Sequence, residues 1–128
     1  MNKLIIDAAN KKIFLTVITN ASIYNISHEN TKINYEKLTI IINDFLLAKN
    51  LKISDIGVIY INQGPGSFAG IRNSMSVVKA FNIAKNIDYY CYNLDDFKKE
   101  KDLSYQNIPN LCKKYKIKKN LINPVYLS

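Results

Sequence analysis

The 128-residue chain is 48% apolar and 22% charged, which is enough apolar material for one domain with a real core and no metal or disulfide staple. Two cysteines, Cys91 and Cys112, and a single histidine, His28, exclude a thiolate–imidazole zinc cluster and fit a reducing cytosol. The formal charge of +8 is concentrated, because residues 98–120 hold eight lysines against Glu100 and Asp102. That stretch reads either as a solvated basic tail or as an RNA-contacting patch. The chain enters a strand pattern at its first residues without a signal-peptide layout, and no apolar run approaches the ~20 residues of a membrane span. A cytoplasmic protein that does not enter the membrane is expected.

Residues 3–8 form a short apolar run that ends on Asp7 and predict a buried strand. Residues 13–18 and 22–27 are rich in β-branched and aromatic side chains, with polar breaks between them. Three strands so closely spaced predict an antiparallel meander. Residues 28–34 read as a loop, and 35–49 as a helix. Residues 56–61 form the next strand, 64–70 a glycine-rich loop, 68–86 a second helix and 88–93 a fifth strand. The order β-β-β-α-β-α-β ends in a β-α-β unit, which needs parallel strands and a right-handed crossover. The fold class expected is α/β, a mixed five-stranded sheet with helices packed on it. Beyond residue 97 the pattern weakens, with a short helix near 105–115.

The loop follows a strand and opens a helix. That geometry gathers unpaired backbone N–H groups and the positive helix end at one point, a ready anion site. Gly64, Gly66, Ser67 and Gly70 are the residues that would line it. The glycines give backbone freedom, and Pro65 fixes one φ. No lysine follows the last glycine, so this is not a Walker A loop. The spacing G-x-G-x-x-x-G is one residue too long for a dinucleotide fingerprint. A tight strand-to-helix turn without a ligand fits the same residues. Ser67 is followed by Phe68, not by the x-Gly of a nucleophile elbow, and no nucleophile–base pair emerges. Cys91 reads as a small apolar core residue, and His28 as a solvated side chain.

The string Gly64-Pro65-Gly66-Ser67-Phe68-Ala69-Gly70-Ile71-Arg72 is similar to the signature Gly-Pro-Gly-Ser-Phe-Thr-Gly-Ile-Arg of the TsaB (YeaZ) family. Leu4-Ile5-Ile6-Asp7 resembles the family's opening strand, and Glu36-Lys37-Leu38 the start of its first helix. Leu51-Lys52-Ile53-Ser54-Asp55-Ile56 resembles the segment before its fourth strand, and Pro124-Val125-Tyr126-Leu127 its usual terminus. The resemblance covers about residues 1–97 and the last few. It implies one actin-like (ribonuclease H-like, ASKHA) lobe over 1–97, with 98–128 a basic extension standing for the remnant of a second lobe. Several positions depart from the pattern. Ala69 stands for Thr, Asn73 and Ser74 for an apolar residue and Gly, Ala8 and Ala9 for Thr-Ser, and Asn34 for a His.

Superfamily nucleotides sit between two lobes, so a single lobe implies no tight ATP binding. Asp7 reads as a strand-end acid in a turn, since a lone carboxylate is a weak metal ligand. No metal, cofactor or catalytic residue is expected. The first helix places Leu38, Ile41, Ile42, Phe45, Leu46 and Ala48 on one face, with Ile40 and Leu47 nearly opposite. The second places Ile71, Met75, Val78 and Phe81 on one face, while Val77, Ala80, Ile83 and Ala84 widen its apolar surface. The C-terminal segment could cover both helices, or they form a docking surface. The resemblance implies docking through Ile40, Leu47, Ile71, Met75 and Val78. It implies TsaD as the catalytic partner, the ATPase TsaE as a further one, a homodimer through the same helices, and tRNA only indirectly. The expected role is a non-catalytic scaffold for threonylcarbamoyl transfer to tRNA adenosine. The alternative is a nucleotide- or anion-binding enzyme using the 64–70 loop.

Overall fold

The computed structural model of the chain describes residues 1–122 and the backbone of Tyr126–Leu127. Pro124 and Val125 of the terminal motif lie outside the described residues. The opening apolar run forms β1 (Asn2–Asp7), and β2 (Lys12–Ile18) returns beside it, with Ile5 opposite Thr16. β3 (Ile23–Glu29) completes the antiparallel meander. As an edge strand it alternates exposed and half-buried positions, with Tyr24 and Ile26 turned to the core and polar Asn25 and Ser27 exposed. β4 (Ile56–Asn62) lies parallel to β1 on its other side. β6 (Asp88–Tyr92) lies parallel to β4. The sheet order is β3-β2-β1-β4-β6, the mixed five-stranded arrangement that the element order predicts. A small second sheet pairs β5 (Gly66–Ser67) with β7 (Tyr126–Leu127).

The helix expected over 35–49 is two helices, α1 (Lys32–Glu36) and α2 (Leu38–Leu47). At the junction Lys37 leaves α geometry, with φ −102° and ψ 19°, and its N–H closes on the Asn34 carbonyl three residues back. The first turn therefore stops, and α2 restarts with Leu38 fully buried on the sheet. The Asn34 amide also donates to the Glu29 carbonyl at 2.8 Å, holding α1 to the end of β3. Asn50 at φ 59° ends α2 in the left-handed conformation that Asn tolerates. α3 (Phe68–Lys85) ends the same way at Asn86. The short helix expected near 105–115 is a 3₁₀ turn at Tyr105–Asn107 followed by α4 (Ile108–Lys114).

Alternation along the strands gives the sheet two apolar faces. Leu4, Ile6, Ile59 and Ile61 pack under Leu38, Ile42, Phe45, Ile71, Met75 and Val78 of α2 and α3. Ile5, Val58 and Tyr60 point the other way and pack with Tyr92, Phe97 and the α4 residues Ile108, Leu111 and Cys112. Residues 105–117 of the lysine-rich C-terminal segment thus cover the face opposite α2 and α3, while Ile122 packs on the α2/α3 side and β7 lies against α3. The segment also shields the free edge of β6. Asn120 N–H donates to the Tyr89 carbonyl at 2.7 Å, and the Asn120 Oδ1 accepts from Tyr89 N–H at 2.9 Å.

Candidate functional site

The glycine-rich loop is seated against the β1–β2 turn. Gly64 has φ 125°, where a side chain is strained. Its N–H donates to the Asn62 Oδ1 at 2.8 Å, and its carbonyl accepts from Leu94 N–H at 3.1 Å. Ser67 N–H donates to the Ala9 carbonyl at 2.8 Å. A Cβ on Gly66 would stand 2.2 Å from that same oxygen, and one on Gly70 would stand 2.0 Å from the Ala8 carbonyl oxygen. Both glycines are therefore dictated by close backbone approach. The Ser67 Oγ caps α3 by accepting from Gly70 N–H at 3.4 Å. The amides of Gly64, Ser67 and Gly70 are all engaged within the protein.

Asp7 ends β1 beneath this loop and is 5% exposed. Its Oδ1 accepts from Ala9 N–H at 3.2 Å and from the Asn62 amide at 3.1 Å. Its Oδ2 accepts from the Tyr105 hydroxyl at 2.7 Å. Burial, then the Asp7 charge and this hydrogen bond, push the Tyr105 phenol well above its ordinary pKa, so it remains a donor. The Tyr105 ring also packs on Phe14, with centroids 5.6 Å apart. The chemistry available at Asp7 is thus that of a satisfied structural acid. Among the described residues no group of three or more His, Cys, Asp or Glu side chains could hold a metal ion. The sequence pattern singles out neither Asn62 nor Tyr105. Asn62 has a local signal, being the last residue of a strand directly before the loop, whereas Tyr105 lies 98 residues from its partner.

The predicted docking residues divide. Ile40 and Leu47 are 58% and 60% exposed on α2, as their position opposite the core stripe requires. Ile71, Met75 and Val78 do not lie on an open face. They are 0%, 7% and 1% exposed and form the stripe by which α3 sits on the sheet. The correction follows from geometry, since the face carrying Ile71 also carries Phe81 and is the one nearest β1 and β4. The outer side of α3 presents Ala80, Ala84 and Ile83, the last 75% exposed, with Phe68 half-exposed at its start. Asn73 and Ser74, which depart from the family pattern, bond within α3 to the carbonyls of Ala69 and Ile71. Cys91 and Cys112 are buried, and desolvation pushes both thiols up to about 12. Among the described residues no helix is long and apolar enough to cross a membrane.

Residues 29–93 match the family model described as TsaD, tRNA N6-adenosine threonylcarbamoyltransferase. The tRNA threonylcarbamoyladenosine biosynthesis protein TsaB of Buchnera aphidicola subsp. Baizongia pistaciae (strain Bp) is 28% identical over 89 residues, which cover 61% of this chain and 40% of that protein. YeaZ from Pseudomonas aeruginosa superposes with a TM-score of 0.66 at 17% identity, over 72% of this chain and 43% of that one. RuvC of T. thermophilus, in complex with a Holliday junction substrate, superposes with a TM-score of 0.53 at 9% identity, over 77% of this chain and 68% of RuvC. The last two likenesses are of fold. The chain spans less than half the length of the TsaB and YeaZ relatives it matches.

Proposed function

The chain belongs to the family of TsaD and its TsaB/YeaZ relatives, and from that premise we propose that it is a non-catalytic scaffold subunit in tRNA threonylcarbamoyladenosine formation. Its partner is the catalytic subunit TsaD, and the surface that meets it is the outer side of α2 and α3. The observation that carries this reading is the exposure of Ile40 and Leu47 on α2 and of Ile83 on α3, at 58%, 60% and 75%. Exposed apolar side chains on two helices that pack together are what an interface presents before assembly. In this reading the docking set is Ile40, Leu47 and Ile83. Ile71, Met75 and Val78 hold α3 in place from behind.

The glycine-rich loop then serves position rather than chemistry. Its amides donate to Asn62, Ala9 and Ser67, which supports a role in fixing where α3 begins. Residues 105–117 pack on the opposite face and leave Ile40 and Leu47 of α2 exposed, which supports reading 1–97 as the lobe and the basic segment as its extension. The threonylcarbamoyl chemistry, any metal and contact with the reacting adenosine fall to the partner, and the site of action is the cytoplasm. Co-purification with TsaD tests the proposal, with failure of the two to associate at micromolar concentration as the contrary result. A homodimer through the same helices would compete with TsaD, so dilution of the chain should favour the mixed complex.

A further inference from the structure

The sheet face opposite α2 and α3 carries a cavity of about 500 Å³ that plays no part in the docking reading. Lys3 of β1, Tyr60 of β4 and Tyr90 of β6 form its floor, and Lys113 and Lys116 rise from the end of α4. Among the described residues no carboxylate lines it. Asp88 and Glu100 are occupied elsewhere. Asp88 is held by Asn120 and Lys119, and Glu100 by Lys114 and Tyr115. Lys3, Lys113 and Lys116 form no ion pair among the described residues. Three lysines therefore line one concave surface without a counter-charge from the described residues.

The floor is polar in a second way. Tyr60 and Tyr90 stack with centroids 5.3 Å apart and planes 15° from parallel. Tyr60 is only 7% exposed, yet neither tyrosine hydroxyl is hydrogen-bonded within the described residues. The Tyr60 hydroxyl is not sealed from solvent, so a ligand in the cavity can reach it. Burial, with Cys112 and Tyr90 adding to it, pushes the Tyr60 phenol up to about 12, so it keeps its proton and can donate to an acceptor. The helix end adds a third sign. α4 closes with Ile117 N–H on the Cys112 carbonyl and Lys116 N–H on the Lys113 carbonyl, which places Lys116 at the left-handed position where Gly or Asn is usual. Lys116 occupies it at φ 53° and presents its side chain to the cavity.

We propose that this cavity binds a phosphate group, with Lys3, Lys113 and Lys116 supplying the charge and the Tyr60 and Tyr90 hydroxyls supplying donors. Phosphate matches the site because it is a compact anion with several acceptor oxygens, and the lining supplies three lysines and two phenol donors. The group arrives either on a free nucleotide or as part of an RNA backbone. The site lies across the sheet from Ile40 and Leu47, so it stands or falls separately from the docking reading.

The test uses the full chain and three probes: inorganic phosphate, ADP and a single-stranded RNA octamer, each titrated at low salt and followed by heteronuclear NMR. Saturable shifts at Tyr60, Tyr90, Lys113 and Lys116 are expected with at least one probe. Tyr60→Phe should weaken binding about tenfold, the ordinary loss for one hydrogen bond to a charged group. Lys116→Gly should weaken it too while leaving the fold intact, since glycine suits that backbone. If RNA is the source, each lysine variant that frees one phosphate should lower the slope of log K against log salt by about 0.7. If ADP saturates and RNA does not, the source is a free nucleotide. The proposal is overturned if none of the three probes saturates, if Lys116→Gly and Tyr60→Phe both bind as the unaltered chain does, or if the shifts fall on residues 64–70 instead.

Discussion

The bond between Tyr105 and Asp7 ties the C-terminal segment to the end of β1, and its removal has a calculable cost. Tyr105→Phe deletes only the hydroxyl that donates to Asp7 Oδ2 at 2.7 Å. The ring stays, so its packing on Phe14 at 5.6 Å is preserved. Asp7 is 5% exposed, so the bereft oxygen cannot be rehydrated without opening the site. Hydrogen bonds to charged groups are worth about 1.5–3 kcal/mol, and the loss here should be about 2 kcal/mol. For a domain of this size that corresponds to a fall in Tm of roughly 8 °C. Tyr105→Ala also removes the ring pair and the ring's burial and should cost at least ~1 kcal/mol more. Urea denaturation followed by circular dichroism gives the free energies, and a cycle with Asp7→Asn should return a coupling of at least ~1 kcal/mol between the two sites. A Tyr105→Phe protein within about 0.5 kcal/mol of the unaltered chain, the range of an ordinary surface change, would refute the reasoning and remove Tyr105 as an anchor.

The glycines of the loop should tolerate no side chain. Gly70→Ala sets a Cβ 2.0 Å from the Ala8 carbonyl oxygen and should cost about 3 kcal/mol or more on the scale of overpacked sites, whereas Gly57→Ala meets only the flexible Met1 side chain and should be mild; thermal melts of the two separate these outcomes. Stability should also fall in alkali. Cys91 and Cys112 have native pKa values of about 12 against an ordinary 9.0, so between those values the native state keeps protons that the unfolded chain has lost, and stability declines as pH rises, by at most ~1.4 kcal/mol per unit for each thiol. Denaturation midpoints that stay level from about pH 8 to about pH 11 would contradict that burial. Lys116→Gly relieves a left-handed lysine and should raise stability by about 1 kcal/mol, a change visible in the same melts.

Much of the fold was legible because its signals are local. Ile-rich runs of six or seven residues bounded by polar breaks define β1, β2 and β4, and the β-α-β order leaves little choice of topology. The break at Lys37 was not legible, since the apolar period runs through it and the interruption is a backbone closure on Asn34. The sidedness of α3 was also hidden. Ile71, Met75 and Val78 form one apolar row and Ala80, Ile83 and Ala84 another, and the pattern alone does not say which row meets the sheet. The Gly66–Gly70 turn was recognisable, but the reason for its glycines lies in the carbonyls of Ala8 and Ala9, far off in the chain. The Asp7 cluster needed the C-terminal segment folded back over the sheet, which no periodicity encodes.

The central claim is that α2 and α3 dock on TsaD, and affinity for purified TsaD measured with Ile40→Asp and Leu47→Asp combined in one chain tests it most directly. Both side chains are exposed, so the double variant should fold with an unchanged Tm. If each is an interface anchor worth at least ~2 kcal/mol, the unaltered chain should bind at micromolar concentration or tighter and the double variant should bind several hundredfold more weakly. Absence of a complex with the unaltered chain, or equal affinity for the folded double variant, would contradict the claim.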